Sequence, residues 1–109
     1  MIKHFVTMIS CLALTLLSLQ TFAEEKRISV TVQTAERSAA GIGFSVNGRN
    51  TGGAGRSFTG KGPQNNRYLF GFRQNSISGK NISCGSLTLN SNSKVTLVYK
   101  GEHCRSVLN

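Results

Sequence analysis

The sequence has no tryptophan, no aspartate and one proline, and four glutamates are its only acidic residues among 109. Without aspartate no Ser-His-Asp triad can form, and hydrolysis by paired carboxylates has very few candidates. No G-x-G-x-x-G motif is present, and the nearest approach to a P-loop has Asn50 at its first glycine and Arg56 at its lysine. We therefore predict a protein that is not an enzyme and has no cofactor.

Residues 1–23 have the three parts of a secretory signal peptide. A short basic start precedes an apolar run from Phe5 to Leu19, and Thr21-Phe22-Ala23 places small residues where signal peptidase reads. The apolar run is too short for a convincing membrane span, and an uncleaved anchor is the alternative. We predict export of residues 24–109 as a single domain, either into the periplasm or out of the cell.

Cysteine usage agrees with export. Cys11 lies in the predicted signal peptide, which leaves Cys84 and Cys104 in the exported domain. An even cysteine count in an exported chain predicts a disulfide, which would stabilise so small a domain by roughly 3 kcal/mol. A metal site is the weaker interpretation, because His103 would add only a third ligand and lacks the usual zinc spacing.

Apolar and polar residues alternate along several segments, as they do in strands with one buried face. Asn47-Gly48 follows one of these segments and accepts the positive φ angles of a tight turn. The last third predicts a hairpin of residues 84–90 and 94–100, whose base the disulfide would close. The clearest alternating segments are 27–33, 41–46, 67–73 and 94–100.

These patterns, together with abundant Gly, Ser, Asn and Thr, predict an all-β fold. We expect a small antiparallel β-sandwich or barrel of about five to seven short strands with one disulfide. Residues 34–40 are expected to form a turn or one turn of helix. Residues 48–66 are predicted to be an irregular loop, rich in glycine.

The charge of the exported domain is strongly unbalanced. After removal of residues 1–23, twelve Lys and Arg face four Glu, a net charge of +8 with neutral histidine. Such a domain attracts phosphate, sulfate or carboxylate polymers and anionic membranes, although a merely solubilising charge is the alternative. The residues predicted to bind the anion are Arg49, Arg56, Lys61, Arg67 and Arg73, with Lys94 and Lys100 in support.

The 48–66 segment supports two hypotheses. Its glycine-rich backbone can present several N–H groups to an anion, and the neighbouring arginines can bind phosphate or carboxylate through two bonds. Alternatively, the segment inserts into a protein partner and presents Phe58, which would make the protein a protein-binding effector or inhibitor. A flexible connection without function is the third interpretation.

The segment 67–73 alternates aromatic residues with arginines. Phe70-Gly71-Phe72 is similar to the centre of the RNA-binding RNP1 strand, but Leu69 stands where that motif has glycine. We interpret the aromatics as core, since so small a domain needs them inside. The outward basic residues would then form one stripe if their strands share a sheet. These aromatics are Tyr68, Phe70 and Phe72, and the basic residues of the stripe are Arg27, Arg67, Arg73, Lys94 and Lys100.

A small secreted ribonuclease is the remaining alternative. His103 could act as acid, Glu36 or Glu102 as base, and an arginine could hold the phosphate. Glu102 and His103 are consecutive, however, so on a strand they would point to opposite faces. We therefore expect a binding module, whose partner is an anionic polymer, an anionic membrane surface or a protein.

The layout of the whole chain resembles small orphan substrates of Gram-negative type II secretion. The shared features are the signal peptide of residues 1–23, the single Cys84–Cys104 pair and the compact basic β pattern. The resemblance implies folding in the periplasm, where disulfides form, followed by secretion and an action on host cells. It implies no functional residue.

Overall fold

The computed structural model of the protein describes residues 26–75, 77 and 79–109. The predicted signal peptide and Cys11 therefore lie outside the described residues. The described part is built from β-strands and turns, and it contains no helix long and apolar enough to cross a membrane. The strands are β1 Arg27–Thr34, β2 Ala39–Val46, β3 Arg49–Ala54, β4 Ser57–Pro63, β5 Asn66–Gln74, β6 Asn81–Leu89, β7 Ser93–Lys100 and β8 His103–Leu108.

The eight strands form two four-stranded sheets that enclose one core. Sheet A has the order β4-β1-β7-β8, and sheet B has the order β3-β2-β5-β6. All neighbouring strands are antiparallel except β1 and β7, which run parallel. The prediction of an all-β domain with one disulfide is confirmed. Its strands form two open sheets and not a closed barrel. The prediction underestimated the strand number and missed the parallel pair.

The core lies between the inward faces of the two sheets. Val30, Val32 and Val95 of sheet A are completely buried, and they face the aromatic side chains of sheet B. The ring of Phe44 lies at the centre, with centroids 5.3 Å from Tyr68 and 6.4 Å from Phe70. The prediction that Tyr68, Phe70 and Phe72 are core is confirmed, and these rings are not available to stack on bases.

The segment predicted to be an irregular loop consists mostly of two strands. Asn47 and Gly48 have φ angles of 53° and 76°, so they turn the chain tightly from β2 into β3. β3 is the edge of sheet B and β4 is the edge of sheet A, so the chain passes from one sheet to the other at Gly55. The prediction failed because β3 is exposed throughout and therefore lacks apolar alternation.

The predicted C-terminal hairpin is also wrong. β6 pairs with β5 in sheet B, whereas β7 pairs with β1 and β8 in sheet A. The hairpin observed here joins β7 to β8 through Gly101 and Glu102, both of which have positive φ. Residues 35–38 form a turn without helix, and Val107 and Leu108 pair with β7 in sheet A.

The disulfide links the two sheets instead of closing a hairpin. Cys84 belongs to β6 of sheet B and Cys104 to β8 of sheet A, with a Cα–Cα distance of 4.5 Å. This bond ties the edge at which β6 and β8 meet. At the opposite edge the short turn between β3 and β4 joins the sheets, so each side of the sandwich has a covalent connection.

Candidate anion-binding face

The predicted anion-binding residues are divided between two faces and one edge. Lys61, Lys94 and Lys100 lie on the outer face of sheet A, whereas Arg67 and Arg73 lie on the outer face of sheet B. The prediction that the basic residues form a single stripe is therefore wrong, because β5, which carries Arg67 and Arg73, does not share a sheet with β1 and β7. The remaining two, Arg49 and Arg56, lie at the edge formed by β3 and the turn that follows it.

The outer face of sheet A, which we call the cationic face, carries five basic residues and no acidic residue. Their side chains are exposed, and they come from all four strands of the sheet. The outward positions are Arg27, Ser29, Thr31 and Gln33 on β1; Ser57, Thr59, Lys61 and Pro63 on β4; Lys94, Thr96, Val98 and Lys100 on β7; and His103, Arg105 and Val107 on β8.

The register of the strands places these five cations along a diagonal. Lys61 on β4 is paired with Ser29, which is two strand positions from Arg27, at one end of the face. Lys94 is paired with Thr31 near the middle, and Arg105 is two strand positions from Lys100 at the other end. With a rise of about 3.3 Å per residue, the distance from Arg27 to Lys100 along the strands is about 33 Å.

Between the cations the face is covered by hydroxyl and amide groups. The hydroxyls of Thr31 and Thr59 are hydrogen-bonded at 2.8 Å, and the Gln33 amide donates to the Thr96 hydroxyl at 3.2 Å. These bonds cross the strand boundaries, so they hold the side chains in an ordered polar layer. Each hydroxyl keeps further hydrogen-bonding capacity for a ligand.

A polar depression of about 520 Å³ lies beside Lys94 on this face. Asn92 contributes to it and accepts a hydrogen bond from the Ser29 amide at 2.9 Å, which fixes the turn before β7 against β1. Lys94 supplies the only charged side chain in its lining. The full lining is Ser29, Thr31, Ser91, Asn92, Ser93, Lys94, Leu108 and Asn109.

The two described glutamates lie outside the strands of the cationic face. Glu36 is in the connection from β1 to β2, and its carboxylate accepts hydrogen bonds from the amide and hydroxyl of Ser38, at 3.3 and 2.6 Å. Glu102 is in the β7–β8 turn and is exposed at the end of the sheet. Both positions leave the positive potential of the face largely unopposed.

The outer face of sheet B is less basic, and its two arginines have hydrogen-bond partners, as does Arg27 of the cationic face, which donates to the Lys61 carbonyl oxygen at 3.4 Å. Arg67 donates from Nε to the Ser86 hydroxyl at 3.0 Å, and Arg73 donates to the Asn81 amide oxygen at 3.4 Å. A second depression of about 520 Å³ lies on this face, floored by glycines. A Cβ at Gly71 would stand 2.6 Å from the Ile82 carbonyl oxygen, so close strand pairing accounts for a glycine there.

The functional candidates in segment 48–66, which was predicted to be a loop, do not converge on one site. Arg49 begins β3 and Arg56 lies in the turn after it, where its carbonyl accepts the Thr34 amide at 3.0 Å. Phe58 is half-buried and its ring centroid is 6.0 Å from that of Phe44. The insertion hypothesis therefore lacks the exposed aromatic residue that it required.

Of the two candidate bases of the ribonuclease hypothesis, Glu102 adjoins His103 at the start of β8, whereas Glu36 lies in a different connection. His103 is outward on β8, where it pairs in register with Lys100, and Glu36 lies in the β1–β2 connection. Within the described ranges no group of three or more His, Cys, Asp or Glu side chains is placed to hold a metal ion. The arrangement offers cationic binding groups rather than an assembled acid–base pair.

Sequence reasoning left Arg105 out of the cationic face. Its signal was present, because His103, Arg105 and Val107 alternate with the residues that face the core. The segment was too short to identify as a strand without knowledge of its partner β7.

Comparison of the chain with protein-family models, with curated proteins and with solved structures gives no match.

Proposed function

We propose that the protein is an exported, non-catalytic module that binds a linear polyanion through its cationic face. The observation that carries this proposal is the composition of the outward positions of sheet A, which include five cations and no acidic residue. The Cys84–Cys104 disulfide supports export, because such bonds persist in oxidising compartments. Type II secretion and action on a host cell belong to the same proposal.

Binding would be driven by many weak contacts and not by one deep pocket. Lys61, Lys94 and Lys100 each offer a compact charge, and Arg27 and Arg105 can form two parallel hydrogen bonds to a sulfate, phosphate or carboxylate. A polyanion lying along the diagonal releases its own condensed counterions as it meets these groups. A hydrogen-bonded sheet suits this mode, because the pairing of its strands fixes the positions from which the cations extend.

Two variants of equal charge test the proposal. The face variant Lys61→Gln/Lys94→Gln/Arg105→Gln removes three charges from the cationic face, and the control Arg49→Gln/Arg67→Gln/Arg73→Gln removes three elsewhere. We expect the face variant to weaken binding of labelled dextran sulfate and of single-stranded oligothymidylate at least tenfold. The control should change each affinity less than about threefold, since its three arginines lie outside the cationic face and act on the polyanion only through screened, longer-range attraction.

The measurement is fluorescence anisotropy at fixed salt, after circular dichroism has shown that both variants fold. Equal losses in the two variants would show that net charge alone governs binding, and the proposal would be wrong. The protein-binding alternative remains a prediction, and none of the contacts described above favours it.

A further inference from the structure

We infer that the polyanion of the cationic face is an acidic polysaccharide, sulfated or carboxylated, and not a nucleic acid. This inference rests on the proposed function and names the ligand class for the same face. Three observations support it: the chemistry of the outward side chains, the polar depression beside Lys94, and the spacing of the cations.

The cationic face has no outward Phe, Tyr or Trp, and His103 is its one outward aromatic side chain. The aromatic neighbours of the face point inward, since Phe58 packs against Phe44, and the Tyr99 ring lies 5.4 Å from that of Phe72 in the core. Proteins that bind single strands of nucleic acid stack bases on exposed aromatic rings, at about 1–3 kcal/mol per base. On this face only the His103 imidazole, at one end, and the guanidinium groups of Arg27 and Arg105 could stack on a base, so it lacks the row of large rings that such proteins use.

The groups that the face does offer match a carbohydrate. Thr31, Ser93 and Asn92 line the depression, and their hydroxyl and amide groups both donate and accept hydrogen bonds. Sugar hydroxyls have the same double capacity, so the two surfaces can satisfy one another in several orientations. Lys94 at the same depression would pair with a sulfate or carboxylate on the sugar.

The spacing of the cations favours a polyanion with widely separated charges. Lys94 and Arg27 are on neighbouring strands and are offset by four residues along the strand direction, which separates them by about 14 Å. The same offset and distance separate Lys94 from Arg105 on its other side. A nucleic acid strand carries one phosphate for roughly every 3.4 Å of helix axis, so most phosphates would lie over neutral side chains. An acidic polysaccharide carries neutral hydroxyls between its charges, as this face does between its cations.

The test compares chondroitin sulfate, whose carboxylates and sulfates are separated by free hydroxyls, with oligothymidylate of equal net charge, at physiological ionic strength. We expect chondroitin sulfate to bind at least tenfold more tightly. The variant Thr31→Val/Thr59→Val should weaken chondroitin sulfate binding about fivefold and change oligothymidylate binding less than twofold, since it removes hydrogen bonds and no charge. The matched control Thr88→Val, on the outer face of sheet B, should change neither affinity.

The possible results separate the inference from the proposal on which it rests. Tighter binding of oligothymidylate, still lost in Lys61→Gln/Lys94→Gln/Arg105→Gln, would overturn the polysaccharide assignment and leave the cationic face as the site. Vesicles of phosphatidylcholine and phosphatidylserine that bind more tightly than either polymer would overturn it as well. If the face variant binds every probe as tightly as the natural protein does, both the inference and the proposed function are wrong.

Discussion

At the scale of single residues, Tyr68 shows how the core and the cationic face are connected. It is the largest of the fully buried side chains, and its hydroxyl donates to the Pro63 carbonyl oxygen at 2.7 Å. Gly62 leaves the space for this ring, because a Cβ there would collide with the Tyr68 hydroxyl. The same hydroxyl feels the charge of Arg27 on the cationic face.

Burial raises the pKa of Tyr68 above its ordinary value of 10.0, and the positive charge of Arg27 acts in the opposite direction. Because the folded-state pKa exceeds the unfolded one, the folded state holds the phenolic proton more tightly. The contribution to stability is present below pH 10 and is lost as the pH rises through the folded-state pKa.

We predict that Tyr68→Phe lowers the free energy of unfolding at neutral pH by about 1 kcal/mol, because the Pro63 carbonyl loses its donor. The variant should also lose part of the decrease in stability that we expect above pH 10. Urea denaturation at several pH values measures both effects. An unchanged alkaline decrease in Tyr68→Phe would contradict the account.

At the scale of strands, the sequence predicts some elements well and others poorly, for a physical reason. β1, β2, β5 and β7 have one apolar and one polar face, so alternation identified them. β3 is exposed at every position, and the inward side of β4 consists of Phe58, Gly60 and Gly62. Those two edge strands carry too few apolar side chains to produce the pattern.

Strand partners were harder to predict than strands. β6 and β7 are neighbours in sequence, and such strands commonly pair, but here each joins a different sheet. The same difficulty applied to the site: the exposed basic residues could be named individually, whereas their division between two faces depends on long-range pairing. Arg67 and Arg105 illustrate this, since nothing local to either residue says which face it shares.

The connection between β6 and β8 supports a stability prediction. Cys84→Ala/Cys104→Ala removes the only covalent bond at that edge of the sandwich, across a sequence separation of 20 residues. We expect the free energy of unfolding to decrease by about 3 kcal/mol, mainly because the unfolded chain gains freedom. Equilibrium urea denaturation measures this loss.

The reduced natural chain is the control for that experiment, because it retains both cysteine side chains without the bond. We expect the reduced chain and the double variant to agree within about 1 kcal/mol. A double variant as stable as the oxidised protein would show that the contacts between β6 and β8 suffice without the disulfide.

At the scale of the whole molecule, the two outer faces of the sandwich differ in charge. The cationic face has five basic residues on four strands, whereas the outer face of sheet B has Arg67 and Arg73, each hydrogen-bonded to a neighbour. The described glutamates lie in connections at the ends of strands. The polyanion that we propose would therefore meet one favourable outer face.

The dependence of dextran sulfate affinity on salt tests this claim most directly. If the five cations of the cationic face each displace a counterion, a plot of log K against log salt should have a slope of about −3.5, using about 0.7 per charge. Lys61→Gln/Lys94→Gln/Arg105→Gln should reduce the magnitude of the slope by about 2, and the control Arg49→Gln/Arg67→Gln/Arg73→Gln should leave it unchanged. An equal reduction in both variants would contradict the account, because the charge would then act without regard to its place in the fold.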